Sequence, residues 1–221
     1  MHNNLSVINR MKTMLVIVFS IVSLNTYAQE FRFGPVITPV SSWWIVEGDL
    51  YVSSGSNLGF QVGATIDQTL GSSERFALVT GLNFNHIKLG FEEVTGGPDT
   101  ITSQKGWTFK VNSLDLPLLL KLRSDELGNT VLYAQYGLTL GFRLTENISV
   151  NDGKNGGESF DYLGMNSSLT MGVGIEQSIA DDKDLVIGLH FQNGIRNTLV
   201  SNANDDNMFT QQLGLRIGLL F

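Results

Sequence analysis

The sequence predicts an all-β chain: an eight-stranded antiparallel up-and-down transmembrane β-barrel with short turns at one end and long loops at the other. Three observations lead there. The closing segment, residues 208–221 (MFTQQLGLRIGLLF), alternates without a break. Phe209, Leu213, Leu215, Ile217, Leu219 and Phe221 share one face, and Thr210, Gln212, Gly214, Arg216 and Gly218 the other. Left uncovered, such a strand would be an aggregation-prone edge, so it should close onto the first strand of its own sheet. Charged residues are only 16% of the chain, against about 25% in soluble domains, yet beyond the amino-terminal segment no apolar run approaches the roughly 20 residues of a spanning helix. The connections between alternating segments are also long and short by turns.

The chain opens with a leader. Arg10 and Lys12 precede the apolar run 14–22 (MLVIVFSIV), and Thr26 and Ala28 place small residues three and one before a cut between Ala28 and Gln29. This is the layout of a secretory signal peptide, and the run is too short for a membrane anchor. Met11, directly before Lys12, offers an alternative start that leaves the same mature chain. The expected organisation is therefore 1–28 as cleaved leader and 29–221 as one barrel domain. The leader holds two of the 14 basic residues and none of the 21 acidic ones, which leaves 12 against 21 and a mature charge of −9. That sign makes nucleic acid a poor partner, and none is expected. With no cysteine in the chain, neither disulfides nor a thiolate metal site can support the fold.

Eight alternating segments follow. The first, 31–40, is the least regular because Pro35 and Pro39 limit ladder donation. The second, 58–67, sets Leu58, Phe60, Val62, Ala64 and Ile66 against Gly59, Gln61, Gly63, Thr65 and Asp67. The third, 75–91, groups Phe76, Leu78, Leu82 and Phe84; the fourth, 107–122, groups Leu114, Leu116, Leu118, Leu120 and Leu122, with a bulge or irregular pairing expected at Pro117. The fifth, 130–145, stacks Leu132, Ala134, Tyr136, Leu138, Leu140, Phe142 and Leu144 against Gln135, Gly137, Thr139, Gly141 and Arg143. In the sixth, 163–179, Met165, Leu169, Met171, Val173, Ile175 and Ile179 oppose Asn166, Ser168, Thr170, Gly172, Gly174, Glu176 and Ser178. The seventh, 185–195, sets Ile187, Leu189 and Phe191 against Gly188, His190 and Gln192, and the eighth is the closing segment.

Long connections fall at 41–57, 92–106, 146–162 and 197–207, and short ones at 68–74, 123–129 and 180–184. That order puts every long loop at one end and both termini at the other, as in barrels with short periplasmic turns and long extracellular loops. Alternation alone does not say which face is inside. A secreted, water-facing barrel would be dense in Lys, Glu and Asp on its polar face. Here that face is mostly Gly, Ser, Thr, Asn and Gln, which suits a narrow lumen, while the apolar face suits lipid.

Eight strands enclose just enough space for side chains. Projected inward by phase, Asp67, Asp115, Lys121, Arg143, Glu176, His190 and Arg216 form a polar lumen cluster of both signs. Unpaired charges there would be costly, so a satisfied ionic plug is expected, with a narrow ion path or lumenal binding site as the alternative. No cofactor and no metal site is expected. His190 with Ser168 or Glu176, and His86 near Asn85, are the only hydrolase-like groupings, and none sits in a specific motif. The loops 151–158 (NDGKNGGE) and 202–207 (NANDDN) carry oxygen ligands without the EF-hand spacing and read as solvated loops. Trp43, Trp44 and Trp107 stand at loop–strand borders, where an interfacial aromatic girdle is expected.

Residues 114–122 (LDLPLLLKL) resemble the hydrophobic–acidic–hydrophobic–Pro–Leu–Leu–Leu–Lys strand of the PorT-type outer-membrane β-barrel family of Bacteroidetes-type envelopes. Residues 131–142 (VLYAQYGLTLGF) are similar to that family's Tyr/Gly-rich following strand. Residues 163–176 and 185–197, with HFQNGIRN, resemble its later strands, and the terminal IGLLF resembles an aromatic-ended assembly signal at Phe221. The resemblance implies eight strands, outer-membrane lipids as surroundings, insertion by the outer-membrane assembly machinery, and a monomeric envelope protein. It also brings a type IX-like secretion apparatus into view as a partner, by fold analogy. Two functions of different class follow: a non-enzymatic structural or interaction barrel contacting envelope or secretion proteins, and a narrow porin-like channel or transporter.

Overall fold

A computed structural model describes residues 31–47, 51–71, 74–95, 102–150, 160–162, 164–197, 199–201 and 207–221. The expected leader and its cut at Ala28 and Gln29 lie outside these residues, as do 151–158 and most of 202–207. The described chain is all β: β1 Phe31–Glu47, β2 Tyr51–Ser53, β3 Asn57–Thr69, β4 Phe76–Thr95, β5 Thr102–Arg123, β6 Thr130–Val150, β7 Phe160–Tyr162, β8 Met165–Ala180, β9 Lys183–Gly194, β10 Leu199–Ser201 and β11 Asn207–Leu220.

Eight of these are staves of one closed antiparallel barrel, in the circular order β1-β3-β4-β5-β6-β8-β9-β11. The ring closes as the terminal strand requires, with β11 on β1 from Val36↔Gly218 to Glu47↔Asn207. Phe221 finishes the seam: its N–H donates to the Phe33 carbonyl at 2.9 Å and its carbonyl accepts from the Phe33 N–H at 3.2 Å. Of the three short strands, β2 continues the wall beside β4, and β7 pairs with β10.

Alternation sorts the faces as read from the sequence. On β11 the inward residues from Met208 to Leu220 are all buried, while Leu213, Leu215 and Ile217 face outward. Large apolar side chains are exposed all around the barrel, among them Phe33, Phe60, Leu138, Val173 and Leu189. An apolar exterior over a polar interior is the inverse of a soluble barrel and is stable only where lipid solvates the outside.

Three departures from the expected elements have physical causes. β1 continues through Pro35 and Pro39 to Glu47, because both prolines point outward and their neighbours still pair with β3. β4, β5 and β6 run to 20, 22 and 21 residues, several residues into the expected long loops, because their backbone pairing continues to Thr95↔Thr102 and Trp107↔Val150. Pro117 makes no bulge and pairs with Thr139 on β6, where the register shift lies at Asn112/Ser113, but the expected irregular pairing appears on its other side: the β4–β5 ladder skips Leu116 and Pro117 between Thr80↔Leu118 and Asn83↔Asp115.

Candidate functional site

Polar and charged side chains converge in the interior of the barrel, which is stacked in three tiers. At the short-turn end lies an ionic tier. Asp67 on β3 and Glu176 on β8 belong to diametrically opposite staves. Lys121 on β5 bonds to both, with Nζ 2.7 Å from Glu176 and also in contact with Asp67. Arg123 bridges the same two carboxylates at 2.9 and 3.1 Å. Arg32 on β1 reaches Glu176 at 2.9 Å and pairs with Asp184 on β9. The network thus ties five staves across the lumen. Lys121 Nζ also sits 4.8 Å above the centre of the Tyr133 ring, a cation–π contact in a dry setting. That ring needs glycines opposite it: a Cβ at Gly188 would lie 2.2 Å from Tyr133 Oη, and one at Gly174 2.7 Å.

The middle tier is neutral amides and hydroxyls around Asp115. Gln61 Nε2 on β3 donates to Gln192 on β9 at 3.3 Å and to Gln212 on β11 at 3.1 Å. Asn85 Nδ2 on β4 donates to Asp115 at 2.9 Å and to Gln212 at 3.3 Å. Ser113 donates to Asp115 at 2.8 Å, and Thr139 and Thr170 share a hydrogen bond of 2.7 Å. A cavity of about 20 Å³ remains here, room for about one water molecule.

The outer tier is apolar. Trp44 packs on Phe109 at 5.1 Å and Phe91 at 5.5 Å between ring centres, and Phe91 stacks on Trp107 at 5.0 Å. Tyr51 of β2 meets Phe91 edge-on at 5.1 Å, and Val40, Ile87, Leu89, Val111 and Met208 complete the cluster. Trp44 Nε1 satisfies itself by donating to Thr210 Oγ1 at 3.1 Å. This corrects the expected girdle. Trp44 and Trp107 are buried inside the barrel because they share the inward phase of Ser42 and Phe109, and only Trp43 is on the outward face, half-buried.

The predicted lumen cluster is therefore inside but not one site. Asp67, Lys121 and Glu176 come together; Asp115 sits in the middle tier; Arg143 pairs with Glu146 at 2.5 Å near the long-loop end; His190 and Arg216 are buried on β9 and β11. Sequence reasoning missed Arg32, Arg123 and Asp184. Continuing the alternation through the short turns, Lys121 to Arg123 and Val186 to Asp184, would have found two of them.

Residues 23–200 match the family described as outer membrane protein beta-barrel domain. The chain belongs to that family. This outer-membrane barrel is similar in fold to several solved structures. With Neisserial surface protein A it shares 14% identity over 86% of this chain and 97% of that one, with a TM-score of 0.47. With OprG from Pseudomonas aeruginosa the values are 12%, 86%, 93% and 0.49. The outer membrane protease OmpT from Escherichia coli gives 6%, 89%, 97% and 0.50. No curated protein sequence matches the chain. Membership makes the protein an integral outer-membrane protein, with short turns facing the periplasm and long loops outside.

The histidines of this outer-membrane barrel do not assemble with the partners considered for hydrolysis. His86 is on the outward face, its Nδ1 2.6 Å from Asn112 and its ring 5.4 Å from that of Phe60, whereas Asn85 points inward. His190 stands opposite Gly172; Ser168 and Glu176 are four residues to either side on that strand, about 13 Å away by strand rise. Among the described residues neither ring nitrogen of His190 has a hydrogen-bond partner.

Proposed function

We propose that this protein is a non-enzymatic, non-conducting barrel whose role in the envelope is structural or interactive, with its long-loop end and its short turns as the surfaces offered to partners. The observation that carries the reading is that each interior tier is bridged from wall to wall: charges on β1, β3, β5, β8 and β9 at the periplasmic end, amides in the middle, and aromatic rings on β1, β2, β4 and β5 at the outer end. Ion passage would require breaking buried ion pairs in one tier and displacing packed rings in another. The separated histidines support a non-enzymatic role.

The finer assignment to the PorT type, with LDLPLLLKL on β5 as its most specific segment, belongs to the same proposal, and so does contact with a type IX-like secretion apparatus. Export through a leader cut between Ala28 and Gln29 is the third part. Bilayer conductance of the purified protein tests the first claim: the membrane stays silent, and discrete single-channel steps would favour the narrow channel instead. Cross-linking in native membranes tests the partner claim. Secretion components are the expected adducts, and a barrel recovered free of any adduct would remove it.

A further inference from the structure

Asp115 is a buried carboxylate, 5% exposed, and among the described residues no Lys, Arg or His nitrogen forms an ion pair with it. It borders the small middle-tier cavity together with Asn85, Asn166 and the rim residue Arg143. The Arg143 guanidinium is engaged by Glu146 and so adds little net charge. Asn85 is 2% exposed; its amide nitrogen is committed to Asp115 and Gln212, which fixes the orientation of the amide and leaves Oδ1 without a donor among the described residues. Asn166 Oδ1, also lining the cavity, is likewise buried without a donor among the described residues. Gly141 keeps the space between them open: a Cβ there would stand 2.9 Å from Asp115 Oδ1 and 3.9 Å from the Cβ of Asn166.

A carboxylate and two orphan carbonyl oxygens around a cavity of one water's size set three demands at once. A proton on Asp115 would cancel its charge but supply one O–H donor for two carbonyl oxygens, leaving one unsatisfied. A water would satisfy the oxygens and leave the charge. One hard, singly charged cation meets all three, since such ions take carboxylate and amide oxygens, and a divalent ion would exceed the single negative charge. We propose that the middle tier binds one sodium-sized monovalent cation, with Asp115 and the side-chain carbonyl oxygens of Asn85 and Asn166 as its protein ligands.

The test is thermal unfolding of the full barrel purified from outer membranes into detergent. Sodium chloride is exchanged for N-methyl-D-glucamine chloride at constant total chloride. The unfolding midpoint is expected to rise with sodium and then saturate, and Asp115→Asn to lose the sodium dependence. Equal midpoints for the unmodified barrel in the two salts would overturn the proposal, as would an unchanged sodium dependence in Asp115→Asn. If that variant does not refold, Asn166→Leu, at the half-buried side of the cavity, should move saturation to higher sodium, and an unmoved curve would count against the site. The readout is a stability, so it is independent of whether the barrel conducts.

Discussion

Lys121→Met removes the central cation of the ionic tier while keeping most of the side chain's volume. In the native barrel Lys121 is 3% exposed and its ammonium bonds Asp67 and Glu176 together. At an effective dielectric of about 20, an opposite charge 2.7 Å away attracts it by about 6 kcal/mol. Two effects reduce the net loss. Arg123 still reaches both carboxylates, and the absent ammonium no longer has to be desolvated. The expected destabilisation is therefore that of one-sided removal from a buried pair, about 3–5 kcal/mol. Unfolding by guanidinium in detergent reads it as a lowered midpoint with unchanged slope, and added salt leaves the loss in place because buried pairs are poorly screened. Lys121→Met combined with Glu176→Gln restores the local charge balance and should recover at least half of the loss. Lys121→Met within about 1 kcal/mol of the unmodified barrel would refute the idea that this tier is a coupled network.

Three further outcomes follow from the same geometry. Gly188→Ala places a Cβ 2.2 Å from Tyr133 Oη and 2.7 Å from the Val173 carbonyl oxygen; it should cost about 1–3 kcal/mol, with Tyr133→Phe relieving part of it in the same unfolding assay. Trp44→Ala should cost about 3–5 kcal/mol by opening the outer tier, and no loss would mean that the rings there are not packed as described. Deleting Phe221 removes two seam hydrogen bonds to Phe33, and fractionation should show less protein inserted in the outer membrane; normal insertion would argue against an assembly role for this residue.

The sequence made the faces legible because period two survives almost every local irregularity. Leu132 to Leu144 on β6 and Leu213 to Ile217 on β11 are outward as their phase requires, and phase alone placed Asp67, Lys121 and Glu176 inside. It was less informative where the two faces exchange character. Ile87, Leu89 and Phe91 on β4, facing Trp107, Phe109 and Val111 on β5, are inward apolar residues in a barrel whose interior is elsewhere polar, while Lys88, Glu92, Thr108 and Lys110 take the opposite face, so the rule of polar inside and apolar outside inverts there. Arg32 was hidden by the prolines of its segment, and Arg123 and Asp184 by standing where a turn was expected. The division of the lumen into three tiers depends on register between staves, such as Arg32↔Asp67 and Asn83↔Asp115, which no single segment encodes.

The central claim is that the lumen is filled. A silent bilayer could also arise from protein that failed to insert, so thiol labelling on barrels already shown to be folded is more direct. The chain has no cysteine, so each introduced thiol reports alone. Thr170→Cys places one on a fully buried lumenal site, and Leu169→Cys one on the 39%-exposed outer face. In folded barrels in lipid vesicles, a water-soluble maleimide should label neither position, and after denaturation it should label both. Rapid labelling of Thr170→Cys in the folded barrel, with Leu169→Cys protected, would mean a water-filled pore and contradict the account.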